Sequence, residues 1–500
     1  MGLMDRIKKS LRDWLNIQPS ELYGIQITDR IDFETNAIRN SIWYRGDSSE
    51  LVQLYNQLLD EGDKYKFWAA TSTPGQEIRK IHTGLPGLMV KVLTDIVMND
   101  LNEFKFKSRK DEVVWSEIDK DSVFIDQIKE AVSEMLYIGD GAFKVVIDTE
   151  FSPYPMLEWV SGLNIDYVYK YGRVVEVIFK TLYQHDYKKY TLHETYGYGY
   201  IKYKMYLYDK EVPLDSIDDT KHLLDVAFDK SVMMAVPARI YKSKKYKGRG
   251  RSIYDDGKIG NFDALDEAWS QWVDALRAGR AKTYIPENLI PRDPENGRII
   301  RPNPFDNRYI STEADMSEKA NVKISTEQPA IPHDSYLATY ITALDLCLQG
   351  IISPSTLGID VKKLDNAEAQ REKEKATLYT HDSIIDALQK IIPKAIQTLF
   401  NAYNLLNQQA LEDVEVDVSF GEYANPSFES QVETITKAKA GGIMSIEAVI
   451  DELYGDTKAQ EWKDEEILRL KAEQGITELE EPQLNADNLE GEQIEGQSNE

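Results

Sequence analysis

A chain of 500 residues with a formal charge of −26 is longer than one compact core usually supports, and it lacks the broad basic face that tight nucleic-acid binding requires. Its 42% hydrophobic and 29% charged residues are ordinary for a globular protein, no apolar run approaches the ~18 residues of a membrane span, and no signal peptide is expected. The single cysteine, Cys347, excludes intrachain disulfides and cysteine-rich zinc sites.

Residues 1–19 place Leu3, Ile7, Leu11 and Leu15 on one helical face, which suits docking on the protein itself or a partner better than on a membrane. Helices are expected over about 49–61, from Pro86 to 100 and over about 122–137, the last followed by a turn at Gly139 and Gly141 and a strand from Phe143. Residues 143–245 read as mostly strand, with tyrosine-rich runs at 174–180, 188–196 and 199–208. The one dense basic cluster is KKYKGRGRS, 244–252.

Two amphipathic helices then form a hairpin with an elaborated tip. On the first, over 256–281, Phe262, Leu265, Trp269, Trp272 and Leu276 share a narrow stripe, and Asp263, Glu267, Gln271 and Asp274 fall opposite. The return helix, 332–350, starts at Asp334 or Ser335 and carries Leu337, Ile341, Leu344 and Leu348 on one face. Between them, prolines limit short strands at 283–285, 298–300 and 322–324, too short to hold a sheet alone and expected to pair between subunits. A loop at 351–365 precedes a helix with capping-box spacing at Asp365 and Glu368, a helical region over about 384–408 interrupted or kinked near Pro393, a strand at 414–420 and three closing helices at about 427–440, 446–454 and 458–474. From Ile476 to Glu500 there are eight acidic and no basic residues, so this tail is expected to be disordered.

Motifs for chemistry are missing. There is no GxxxxGK[ST] phosphate cradle, no HExxH and no GxSxG elbow, and the six histidines show no ligand spacing. No metal, cofactor or catalytic residue is expected, and the chain reads as a non-enzyme.

IWYRGDSSELVQLYNQLL, KIHTGLPGLMVKVLTDIV, GDGAFKVVID, GRGRSIYDDGKIGNFDALDEAWSQWVDALRAGRAKTYIP and KAGGIMSIEAVIDELYGDTKAQEWKDEEI, in this order and spacing, resemble a portal protein of tailed double-stranded-DNA bacteriophages from about Asn40 to Gly475. The resemblance implies an α+β subunit: a wing at 20–255 and 366–425, a two-helix stem, a small β-rich clip at 282–331, a tunnel loop at 351–365 and a helical crown at 426–475. It implies a homo-oligomeric ring of about twelve at a capsid vertex, assembled in the host bacterial cytoplasm, through which double-stranded DNA is packaged and ejected. Its partners would be the terminase large subunit of the packaging motor, head-completion and adaptor proteins, and major capsid and scaffolding proteins. On this reading Asp263, Glu267, Gln271 and Asp274 line the channel, and Lys362 and Lys363 of the tunnel loop touch the DNA backbone. Trp269, Trp272 and Leu276 would pack on Leu337, Ile341, Leu344 and Leu348 of the same or an adjacent subunit. About twelve helices spaced ~10 Å apart leave a lumen of ~28 Å, wide enough for B-form DNA. The alternatives are another virion structural or adaptor protein, and a nucleic-acid-processing enzyme with an unrecognised carboxylate metal site.

Overall fold

The computed structural model describes residues 31–57, 66–71, 78–255, 257–286, 289–290, 292–298, 309–312, 324–359, 367–421, 432, 435–439, 441, 443–454 and 460–473. Helix and sheet are mixed, as in an α+β protein. The chain divides into two compact units, one ending at Gly421 and the other beginning at Glu422.

The first unit opens with α1 (Phe33–Arg45), started by Asp32, which accepts a hydrogen bond from the Thr35 amide at 2.8 Å, and stopped by Gly46 at φ 72°. After α2 (Ser48–Gln57) comes α3 (Leu85–Asp100), with Pro86 in its first turn as the spacing predicts. Its apolar stripe buries Met89, Val90, Leu93 and Val97 in the main core. The helix expected over 122–137 is α5 (Phe124–Tyr137), and a helix that was not expected, α4 (Arg109–Ser122), precedes it, the two separated by Val123 at φ 44°. Among the described side chains of α4 only Trp115 and Ile118 are buried, too sparse a pattern for periodicity to register.

A three-stranded antiparallel sheet lies at the heart of this core, with β2 (Asp140–Val146) between β3 (Met156–Ser161) and β10 (Ala235–Arg239). The next strands, β4 (Ile165–Lys170), β5 (Arg173–His185), β6 (Lys188–Gly197), β7 (Tyr200–Leu207) and β8 (Lys210–Val212), form an antiparallel meander, and β9 (Val226–Ala227) pairs with β7. The tyrosine-rich runs are therefore strands that face one another.

The long helix α8 (Ala367–Leu406) packs on the first sheet and on α3. It is continuous through Pro393, where an interruption or a kink is predicted. Ile384, Leu388, Ile391 and Ile392 before the proline and Ala395, Ile396, Leu399 and Phe400 after it are all at most 6% exposed, and this continuous burial offsets the lost backbone hydrogen bond. The strand expected at 414–420 is only β14 (Val416–Asp417), paired with β1 (Lys105–Phe106).

In the second unit, α9 (Ile446–Tyr454) begins at Ser445, whose hydroxyl accepts from the Ala448 amide at 3.2 Å, and α10 (Gln460–Glu473) follows. Tyr454 and Trp462 meet edge to face at 5.0 Å. Lys471 lies 2.8 Å from Glu447 and, by hydrogen bonding to it, holds that carboxyl down to about 2. Of the helix expected at 427–440, residues 435–439 are described and are helical. Segments 1–19 and 476–500 lie outside the described residues.

Candidate channel hairpin and its anchorage

The two amphipathic helices are present as α6 (Lys258–Ala278) and α7 (His333–Leu348), and they pack on each other along their length. The return helix is capped by Pro332, without a side-chain hydrogen bond, rather than by Asp334 or Ser335. Along both helices exposure rises from base to tip. Phe262 and Leu265 are 1% exposed but Leu276 is 49%, and Leu344 and Leu348 are 2% exposed but Leu337 is 43%.

Acidic side chains hold the base. Asp266, fully buried, accepts from Trp68 Nε1 at 3.1 Å, from the Thr83 amide and hydroxyl at 2.9 Å each, and pairs with His82 Nδ1 at 2.7 Å. Asp263, one turn earlier, accepts from the amides of Phe67 at 2.9 Å and Trp68 at 3.3 Å. Ser270, one turn later, accepts from the Ile81 amide at 3.0 Å. These three residues form one stripe that satisfies the backbone of two irregular segments, which would otherwise be buried with unpaired amides. Burial pushes the Asp263 carboxyl up, against the pull of the two amides. Lys80 closes the cluster by donating to the Trp68 and Ala70 carbonyls at 2.8 and 2.9 Å, and burial pulls its pKa down.

The base of α6 also finishes α7. Lys258 Nζ donates to the carbonyls of Leu346 and Gln349, both at 2.8 Å, and Asn261 Nδ2 donates to Leu346 at 3.1 Å. A cation here satisfies orphan carbonyls at the negative end of the helix dipole.

Several expected roles change. Asp263 is 6% exposed and bonded to residues 67 and 68, so it cannot line a channel. Its neighbours Glu267, Gln271 and Asp274 are solvent-accessible and, at ~100° per residue, lie on the edge of α6 turned away from α7, with Gln271 Nε2 donating to Glu267 at 2.8 Å. Within one chain Trp269 and Trp272 meet tyrosines of α7: Trp269 to Tyr340 at 5.7 Å and Trp272 to Tyr336, stacked, at 6.5 Å. Leu344 and Leu348 join the body core, Ile341 is half-buried, and Leu337 and Leu276 are exposed. The helix rotation explains this, because the α7 face that meets α6 is Tyr336, Tyr340, Ala343 and Cys347, a quarter-turn from the leucine stripe. On one side of the hairpin a groove of about 400 Å³ is lined by Asn261, Ala264, Ala338, Thr339, Thr342, Ala343 and Leu346.

At the tip, β11 (Lys282–Pro286) pairs in parallel with β12 (Tyr309–Thr312) and antiparallel with β13 (Ser325–Glu327). Within one chain the predicted strand 283–285 thus already has partners on both sides. Of the predicted strands 298–300 and 322–324, all but residues 298 and 324 lie outside the described residues. The loop after α7 is tied down at its start: the Ser353 amide donates to Thr377 Oγ1 at 2.8 Å, and Thr380 Oγ1 donates to the Ile351 carbonyl at 2.7 Å. Ser353 is therefore no part of a projecting segment, and Lys362 and Lys363 lie outside the described residues.

Part of the basic cluster has a structural role that the sequence reading missed. Arg249 binds the fully buried Asp140 through Nε and Nη2 at 3.0 and 2.8 Å, and its guanidinium lies 3.7 Å from the Phe33 ring centre. The legible signal was an acid in the turn before a buried strand together with a glycine-flanked arginine. Among the described residues no group of three or more His, Cys, Asp or Glu side chains could hold a metal ion, and no helix is long and apolar enough to cross a membrane.

No protein-family model matches this sequence, and no curated protein matches it. Among solved structures the chain is similar to one from the virion of a native gene transfer agent particle, with a TM-score of 0.37, 10% identity, and coverage of 72% of this chain and 87% of that one. It is also similar to a chain from the neck of the native particle computed with C12 symmetry, at TM-score 0.38 and 11% identity, covering 74% and 89%. A third similar chain comes from the neck of the empty particle computed with C6 symmetry, at TM-score 0.35 and 10% identity, covering 73% and 87%.

Proposed function

We propose that this chain is the subunit of a portal ring of a phage-like particle, a non-enzymatic conduit for double-stranded DNA. The observation that carries the reading is the hairpin of α6 and α7, anchored at its base and left incomplete towards its tip. Leu276 and Leu337 are exposed there, while a groove of small residues opens on one side. Leu337 and Ile341 are on a different face of α7 from the groove residues Thr339 and Thr342, so one copy offers the bulk that the next copy's groove can take. A surface and its complement on different faces of one subunit make a head-to-tail contact, which closes into a ring when the rotation permits.

In such a ring Glu267, Gln271 and Asp274 form stacked polar and acidic bands towards the axis. They repel phosphates over roughly a Debye length of ~8 Å, so the duplex is centred rather than held. The small sheet of β11, β12 and β13 is the docking face for a packaging motor and then for adaptor proteins. Removing residues 288–326 abolishes motor binding on this reading and leaves the body folded. The test of the whole assignment is electron microscopy of the purified full-length protein, which should show rings with a central hole of ~28 Å. A protein that stays monomeric at every concentration, or that cleaves DNA in a metal-dependent manner, overturns it.

A further inference from the structure

The basic cluster at 244–252 is not exhausted by the Arg249–Asp140 clamp. Lys244, Lys245 and Arg251 converge with Arg39 and Lys66 on a cavity of about 430 Å³ inside the first unit. Five cations round one cavity are unexpected in a chain of net charge −26. Among the described residues that line it, Asp255 is the one carboxylate. It is already occupied, accepting from Asn36 Nδ2 at 3.0 Å, Asn40 Nδ2 at 3.5 Å and the Ser252 amide at 3.1 Å. Lys244 and Lys245 make no salt bridge among the described residues. The Nε of Arg39 is buried with no acceptor, although its Nη2 donates to Asn36 Oδ1 at 2.5 Å.

The same cavity receives the start of α6. That helix is 21 residues long and begins at Gly257, φ 89°, with no side-chain cap. Nothing lies within 4 Å of where a Cβ would stand on Gly257 or Gly260, so the first turn is open to the cavity. Uncapped amides and the positive end of the dipole favour an anion there.

We propose that this cavity binds a phosphate group, with Lys244 and Lys245 as mobile point charges, Arg39 as a directional donor and the first turn of α6 beneath. Its volume suits a small ligand or a single phosphate with its attached sugar. The phosphate comes either from a free polyphosphate or nucleotide, or from a DNA backbone. The site is contained in one chain, so the assignment stands or falls separately from ring formation.

The experiment uses the full-length protein and inorganic pyrophosphate, with thermal unfolding and calorimetric titration as readouts. Wild type should bind with a dissociation constant below ~1 mM, and Lys244→Ala/Lys245→Ala should weaken binding at least ~10-fold while its melting temperature without pyrophosphate stays put. A short DNA duplex that competes with pyrophosphate identifies the source as DNA, and one that does not identifies a free phosphate compound. Arg39→Gln gives a second variant whose weakened binding is independent of the lysines. No binding by wild type up to ~10 mM, or binding that neither variant changes, overturns the proposal.

Discussion

The two halves of the hairpin belong to the same pair of helices and have opposite surroundings. At the base every polar group on the inner side of α6 has a partner: Asp263, Asp266 and Ser270 bind backbone and ring donors from residues 67–83, and Lys258 and Asn261 finish α7. Towards the tip Leu276 and Leu337 are exposed, and the aromatic seam of Trp272 and Tyr336 is only half-buried. The base is completed within one chain, whereas the tip leaves apolar surface uncovered among the described residues.

The most severe way to break this contrast is at Asp266. Asp266→Ala leaves Trp68 Nε1, the Thr83 amide and His82 buried without their acceptor, and should cost about 3–5 kcal/mol in denaturant unfolding. By comparison Glu267→Ala, one residue on, should stay within about 0.5 kcal/mol. Equal effects would mean the base is not held as described. Next comes the tip. Leu276→Asp/Leu337→Asp should leave the melting temperature of the isolated subunit within a few degrees of wild type, and analytical ultracentrifugation should show assembly lost; a double variant that still assembles removes the tip from the interface.

A gentler change tests the outer edge. Replacing Glu267, Gln271 and Asp274 with Lys should preserve assembly and make DNA passage slow at low salt and faster as salt rises, because phosphates then bind the wall. Packaging rates that ignore salt in an assembled ring would take that edge out of the channel. The smallest effect belongs to an exposed pair in the second unit. The carboxyl of Glu447 is held at about 2, below its ordinary 4.5, so its contribution is present above about pH 4.5 and fades as pH falls towards about 2. Circular-dichroism melts of wild type and Glu447→Gln should therefore differ slightly at pH 7 and coincide near about pH 2; a gap that persists at low pH would mean that charge is not its source.

The helices of the hairpin were legible because their stripes are long and regular, and so were the tyrosine-rich strands. The buried acids were not. Helical periodicity assigns charges outward, yet Asp266 stands four residues after Phe262, and hence beside the apolar stripe; that placement is the signal the sequence held. Asp263 shows the limit of the method, since what buries it is a segment nearly 200 residues away. The same reasoning explains α1 and α4, whose buried faces are polar or sparse: α1 buries Asn36, Asn40 and Ser41 beside Trp43. At the tip, strand length says how weak a sheet is and not which segments pair, so the partners of 282–286 at 309–312 and 325–327 were not legible.

The bonds from Lys258 and Asn261 to the last carbonyls of α7 also govern how the hairpin can move. They tie the two helices together at the end nearest the body, so neither can slide along the other without breaking three hydrogen bonds at once. Immediately beyond them the chain turns at Gly350, φ 75°, and on the other side at Gly257, φ 89°. Because Asp263, Asp266 and Ser270 also clamp this end of α6 to residues 67–83, the two glycines shape the roots without freeing them: the base is a fixed mount, and any bending is left to the half of the hairpin beyond Ser270.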